Sequence, residues 1–297
     1  MTTRHDPPEG ASPWRDALSR LRRDRTALAA IVILCVLVGA ALLAPLLAPY
    51  DPNAQPDIVG LARNAPSLAH PFGTDDYSRD LLSRVLYGAR VSLGVAGLAM
   101  LLSVTVGTAY GAIAGYVGGW VDGLMMRIID ALMSIPRVLL MIIALALWGR
   151  IALPTLILLL GLTGWFGTSR LVRSRVHALS RRDFALAARA LGARNRRVLW
   201  RHVLPNALSP VLVAATLGIG SVIVLEAGLS YLGLGVQPPH ASWGNIIHEG
   251  SSAPLERWWI ALFPGLAMLV TVVAFNLLGD ALRDAFDPRA AEAAPRS

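Results

Sequence analysis

The feature that most constrains this chain is a long apolar run that keeps returning. Ala27 to Ala48 holds no charged residue, and about 20 such residues in a helix cross a hydrocarbon core of roughly 30 Å. Further runs lie at Val91 to Val117, near Leu124 to Trp148, at about Ile151 to Ser169, at about Ala207 to Gly228 and at roughly Trp258 to Gly279. The expectation is an all-α membrane protein of six transmembrane helices with both termini cytoplasmic.

Composition agrees and excludes. Of 297 residues, 55% are hydrophobic and 15% charged, with a mean hydropathy of +0.54, whereas soluble domains carry about 25% charged residues. The net charge is +8 and all 27 basic residues counted as Lys or Arg are Arg. Without lysine there is no phosphate-cradling Walker loop and no Schiff base. The single cysteine, Cys35, rules out an internal disulfide and a multi-thiolate metal site.

Six arginines, from Arg4 to Arg25, precede the first run, which also suits a secretory signal. Such apolar regions span only about 7–15 residues, however, and Pro49 follows the end of this one. The first span is therefore read as retained, with its N-terminus inside. Residues 49–90 hold five prolines, five acids and four arginines, and this lack of excess positive charge places them outside. Within them, Ser78 to Arg90 reads as a short amphipathic surface helix. Gly107, Gly111 and Gly115 fall on one face of the second span and allow another helix close, and Gly161, Gly164 and Gly167 suggest the same of the fourth.

Asp130 and Arg137 lie inside the third span, Glu226 near the outer end of the fifth. Intramembrane charges are candidates for a translocation path. The bland alternative pairs Asp130 with Arg127 one turn away, and Pro136 is positioned to kink the helix. His240, His248 and Glu249 in the second outer loop have no metal-site spacing and read as solvated, so no metal site and no catalytic residue is assigned. Trp258 and Trp259 open the last span as interfacial anchors.

Residues 180–205, SRRDFALAARALGARNRRVLWRHVLP, stand apart from the spans. Ten arginines between Arg170 and Arg201 face one acid, Asp183. Ser180 with Asp183 has capping-box spacing. Phe184, Ala187, Ala188 and Leu191 then recur on one helical face, Gly192 suits a left-handed C-terminal position, and a second helix from Asn195 ends at Pro205. Topology alone needs the charge but neither the cap nor the glycine turn. A DNA-reading helix-turn-helix is the other possibility, and apolar spans on both sides oppose it.

In order along the chain, LAPLLAPYDPNAQ, FGTDDYSRDLLSRVLYGARVSL, GYVGGWVDG, DFALAARALGARNRRVLWRHVLPNALSPVLV, LEAGLSYLGLGVQPPHASWG and FPGLAMLVTVVAFNLLGDALRDAFDPR resemble the ABC-importer permeases of the dipeptide, oligopeptide and nickel group. The resemblance implies a type I importer permease in the bacterial inner membrane. It further implies a second homologous permease, two cytoplasmic ATPase subunits on which ATP and Mg act, and an extracytoplasmic solute-binding protein. No cofactor is expected on this chain, and no nucleic acid. Residues 1–26 form a cytoplasmic segment, 27–90 the first helix and outer loop, 91–283 a five-helix core and 284–297 a cytoplasmic tail.

Residues 180–205 align with the family's ATPase-coupling loop. Asp183, Phe184, Leu186, Ala187, Ala188, Gly192, Leu204 and Pro205 are its candidate contacts, with Leu186 standing where the family carries Glu. A nickel-complex importer of the same group, a self-contained ion-coupled carrier and a membrane scaffold with a basic docking loop remain open as alternatives.

Overall fold

The computed structural model describes residues 13–148 and 152–287. Arg4, the start of the fourth apolar run at Ile151 and the end of the tail lie outside the described residues. Five helices are long and apolar enough to cross a membrane, and a bent pair brings the total to six.

Helix α1 (Pro13–Leu21) leads into the first span, α2 (Arg25–Leu42). Asp24 caps α2, and the hydroxyl and N–H of Thr26 hold its carboxyl below the usual range. Leu43 ends α2, and Pro45 starts one further turn, α3 (Ala44–Leu47). An outer segment then leads to α4 (Leu81–Val117), whose 37 residues measure about 55 Å. There is thus no separate surface helix at 78–90. Asp80 caps α4 directly, and Leu81 and Arg84 are buried, because this outer turn packs on protein and not on water.

Gly118 and Gly119, both at positive φ, turn the chain into α5 (Gly119–Met133). Helix α6 (Arg137–Trp148) follows at an angle of 73°. Pro136 causes the break, since it has no N–H to donate and its ring opposes the preceding turn. The kink expected of Pro136 is therefore a full interruption of the third span.

Helix α7 (Leu153–Leu179) packs parallel along α4 in the most extensive helix pair among the described residues, Gly161 lying against Ala99 and Leu102 and Gly115 against Arg173. Glycine makes that approach possible. A Cβ on Gly107 would stand 2.8 Å from the Trp165 carbonyl oxygen, and one on Gly115 would stand 2.5 Å from that of Arg173. On α7, Gly161 and Gly164 are close to α4, while Gly167 has open space around it.

Past α7 come α8 (Asp183–Ala190), α9 (Asn195–Val198), a π turn (Leu199–Val203) and α10 (Leu204–Tyr231). Helix α11 (Trp243–Gly250) lies within the second outer loop, and α12 (Trp258–Phe286) closes the bundle. Helix α12 runs past the expected end at Gly279. There α1 packs against it, and Arg20 donates to the Asp287 carbonyl at 3.1 Å, which puts both described ends on one side.

The larger core joins α4, α7, α10, α11 and α12, with Trp243, Leu160, Ile223 and Ile260 fully buried. Trp258 is exposed, but Trp259 is buried and donates to the Thr74 carbonyl at 3.2 Å, so it pins the outer segment instead of standing at a lipid interface.

Candidate functional site

The segment from Ser180 to Pro205 leaves the membrane between two long helices. Its first turn is built differently from the expectation. Ser180 donates to the His177 carbonyl at 2.9 Å and so finishes α7, while Arg182 occupies the N-cap of α8 without a side-chain cap. Asp183 sits in the first turn of α8, where a negative charge meets the positive end of the helix dipole. The same spacing does form a capping box elsewhere, with Ser242 and Asn245 exchanging both bonds at the start of α11.

Helix α8 roots itself through Ala185, fully buried, and Ala188 beside it. These small side chains join Ala112, Val172, Val176, Val198, Val203 and Ala207 in a second dry cluster, so α8 is tied to α4, α7 and α10 together. Phe184, Leu186 and Leu191 point away from it, and Leu191 is 89% exposed. The apolar face expected from Phe184, Ala187, Ala188 and Leu191 is therefore split between root and surface. Gly192 has φ +82° and an added Cβ would meet nothing within 4 Å, so backbone conformation alone requires glycine there.

Pro205 does not stop the second helix. Asn195 to Tyr231 forms one membrane-length helical stretch, with the π turn just before the proline. A wider turn gives the ring room against the Arg201 carbonyl and absorbs the missing N–H. Leu204 is buried in the cluster and Pro205 is exposed.

Two contacts invisible to sequence periodicity fasten α4 to this segment. The Tyr116 hydroxyl donates to Asn195 Oδ1 at 3.4 Å, and the Arg189 guanidinium lies 5.5 Å from the Tyr116 ring centre. Farther in, Arg173 donates through Nε to Asp122 at 2.8 Å, which links α7 to α5.

The three intramembrane candidates do not converge. Asp130 is exposed and pairs with Arg170 of α7, not with Arg127. Arg137, beyond the break, turns inward and donates to Thr163 Oγ1 at 3.0 Å and to the Leu160 carbonyl at 2.6 Å. Gly164 leaves the space that its guanidinium fills. Glu226 is wholly buried, accepting from Ser230 at 2.6 Å and Ser92 at 3.3 Å. Those hydroxyls in turn accept from the N–H groups of Val236 and Trp243. Glu226 thus joins α4 and α10 to the loop that carries α11.

A second polar centre, on the outer side, was not foreseen. Asp75, fully buried, accepts from Arg79 Nε at 2.6 Å and also pairs with Arg84, and both arginines reach Glu249 of α11. Glu249 is therefore an ion-pair partner and not a solvated loop residue. The His248 ring meets the edge of Tyr231 at 5.5 Å, and among the described residues no group of three or more His, Cys, Asp or Glu is placed to hold a metal.

Fold and site together describe a multi-pass membrane bundle whose short helix α8 is rooted in a buried cluster and leaves Phe184, Leu186 and Leu191 exposed. The sequence profile described as binding-protein-dependent transport system inner membrane component matches residues 107–292, and that of the N-terminal TM domain of oligopeptide transport permease C matches residues 12–72. The chain belongs to this family of bacterial inner-membrane transport components.

The chain is 38% identical over 290 residues to the dipeptide transport system permease protein DppC of Alkalihalophilus pseudofirmus, covering 95% of this chain and 93% of the relative. It is 39% identical over 276 residues to the protein of the same name in Bacillus subtilis, covering 93% and 85%. With the oligopeptide transport system permease protein OppC of Bacillus subtilis it shares 38% over 278 residues, covering 94% and 90%.

Proposed function

We propose that this chain is the permease subunit of an ATP-driven peptide importer and forms half of a translocation pathway with a second, related permease. Two cytoplasmic ATPase subunits supply the energy, and an extracytoplasmic binding protein delivers the solute. The observation that carries the coupling assignment is α8: a short helix rooted in a dry cluster yet presenting Phe184, Leu186 and Leu191 to the cytoplasm. Exposed apolar side chains on a rigid mount suit a partner's groove. Closure of that partner then moves α7 and α10 as attached bodies.

The contact surface comprises Asp183, Phe184, Leu186 and Ala187, with Gly192 setting its orientation and Ala188, Leu204 and Pro205 joining it to the spans. Leu186 makes the contact more apolar than an acid would at that position. The chain carries no lysine for a phosphate loop and binds no cofactor in this reading, so ATP and Mg act on the partners. Peptide is preferred over a nickel complex because the relatives above are named for dipeptide and oligopeptide transport.

The test is uptake into proteoliposomes holding this chain with its partner permease and ATPase subunits. ATP-dependent accumulation of labelled di- and oligopeptides is the expected result. Accumulation driven by a proton gradient without ATP would establish an ion-coupled carrier instead, and uptake of nickel complexes but not peptides would move the substrate assignment.

A further inference from the structure

Among the described residues of the outer side, five arginines occur: Arg63, Arg79, Arg84, Arg90 and Arg257. Four have carboxylate partners. Arg63 and Arg257 share Asp76, while Arg79 and Arg84 share Asp75 and Glu249. Arg90 has none. It is exposed, and its guanidinium lies 5.8 Å from the ring centre of Tyr87 one turn before it.

Arg90 stands at the rim of a groove of about 420 Å³ formed by α4, the start of α7 and the two outer loops. Asn53, Tyr87 and His240 complete the polar rim. Below it, Val91, Val95, Leu98 and Ile157 make a wall without donors or acceptors. From Arg90 to Leu98 the groove descends about 12 Å along α4. The apolar surface then continues through Leu98 and Leu101, which are 53% and 64% exposed.

Position and chemistry select the occupant. Arg90 lies near the outer end of a 37-residue helix, one residue before its long uncharged stretch, which is the level of the phosphates. An extended peptide lying along this wall would leave its amides unpaired, at a cost of about 1–3 kcal/mol each. A hydrocarbon chain leaves nothing unpaired there, and guanidinium suits a phosphate by forming paired charge-assisted hydrogen bonds. We infer that this groove binds a glycerophospholipid of the outer leaflet, with the phosphate on Arg90 and one acyl chain along Val91, Val95 and Leu98.

The test uses the full chain purified with its partner subunits, titrated with dioleoylphosphatidylglycerol and read by native mass spectrometry. Two variants approach the groove from different sides. Arg90→Ala removes the cation, and Gly94→Phe fills the groove from a position whose added Cβ meets nothing within 4 Å. Because the second change adds a side chain into open space on a helix, it reports even if the first perturbs folding.

The expected result is one tightly retained lipid on the wild type, weakened about tenfold or more in either variant, the scale of one hydrogen bond to a charged group. Arg90→Lys should keep part of the affinity. Dioleoylglycerol, which lacks the phosphate, should not compete, nor should inorganic phosphate, which lacks the chains. Unchanged lipid retention in both variants would overturn the proposal. Displacement of the lipid by a transported peptide, or a crosslink from Gly94→Cys to the partner permease, would overturn it as well by giving the groove a different occupant.

Discussion

At the scale of single residues, glycine is required here for two distinct reasons that mutation separates. Gly111 is needed for space, since an added Cβ would stand 2.9 Å from Val172 Cβ and 3.0 Å from the Arg173 nitrogen. Gly111→Val should therefore lower the melting temperature in detergent, by the equivalent of about 1–3 kcal/mol of overpacking, whereas Gly167→Ala, in open space, should leave it unchanged. Gly192 is needed for conformation, and Gly192→Val should cost about 1–3 kcal/mol locally. It should abolish ATP-driven uptake while the protein stays in the membrane, and Gly192→Asn should retain part of the activity because Asn tolerates positive φ.

Glu226 separates two roles at the same scale. As a clamp between Ser92 and Ser230 it should lose stability on Glu226→Ala, about 1–3 kcal/mol per hydroxyl left unpaired. Glu226→Gln should lose less than Glu226→Ala, because the amide oxygen still accepts from one hydroxyl while the NH2 group faces the other. Full stability in Glu226→Ala together with lost transport would instead give Glu226 a role in the translocation path.

At the scale of elements, the π turn before Pro205 sets the angular register between α8 and α9 on one side and α10 on the other, and in the proposed coupling that register carries the stroke. Pro205→Ala restores a donor and removes the ring, which frees the turn to close to ordinary α geometry. Removing one residue's worth of bulge rotates everything before it by about 100° relative to α10. The expected outcome is unchanged or raised thermal stability with ATPase activity poorly coupled to uptake. Equal coupling in the variant would show that the register does not matter.

Elements also show what was legible in the sequence and what was not. Apolar runs located the spans because the bilayer reads hydropathy directly, and Gly192 and Pro136 announced their backbone effects by residue type. The ends of α4, α7, α10 and α12 were not legible, since helices continue past the hydrocarbon into charged segments that hydropathy excludes. The ion cluster of Asp75, Arg79, Arg84 and Glu249 was hidden by sequence distance, Glu249 lying 165 positions beyond Arg84. Ser180 misled because S-x-x-D spacing fits many helix starts, and only the local chain path decides which one uses it.

At the scale of the whole molecule, the bundle is anchored at both faces. The outer ion cluster and Glu226 fasten α11 and the outer loops, and the cluster around Ala185 and Val203 fastens α8. Between them α5 and α6 meet the rest of the chain sparsely and leave Leu124, Ile128, Leu139 and Leu147 exposed, a surface available to lipid or to the second permease. In the proposed coupling, motion at α8 reaches the outer side through α4, α7 and α10, the helices its buried cluster joins.

The most direct measurement of that account is co-purification of the tagged chain from its native membranes, with ATPase activity assayed on what accompanies it. An ATP-hydrolysing partner should be retained by the wild type and lost when residues 181–202 are replaced by a flexible linker, with the bundle still inserted and folded. Retention of the partner by the linker variant, or a chain that purifies alone and moves solute without ATP, would contradict it.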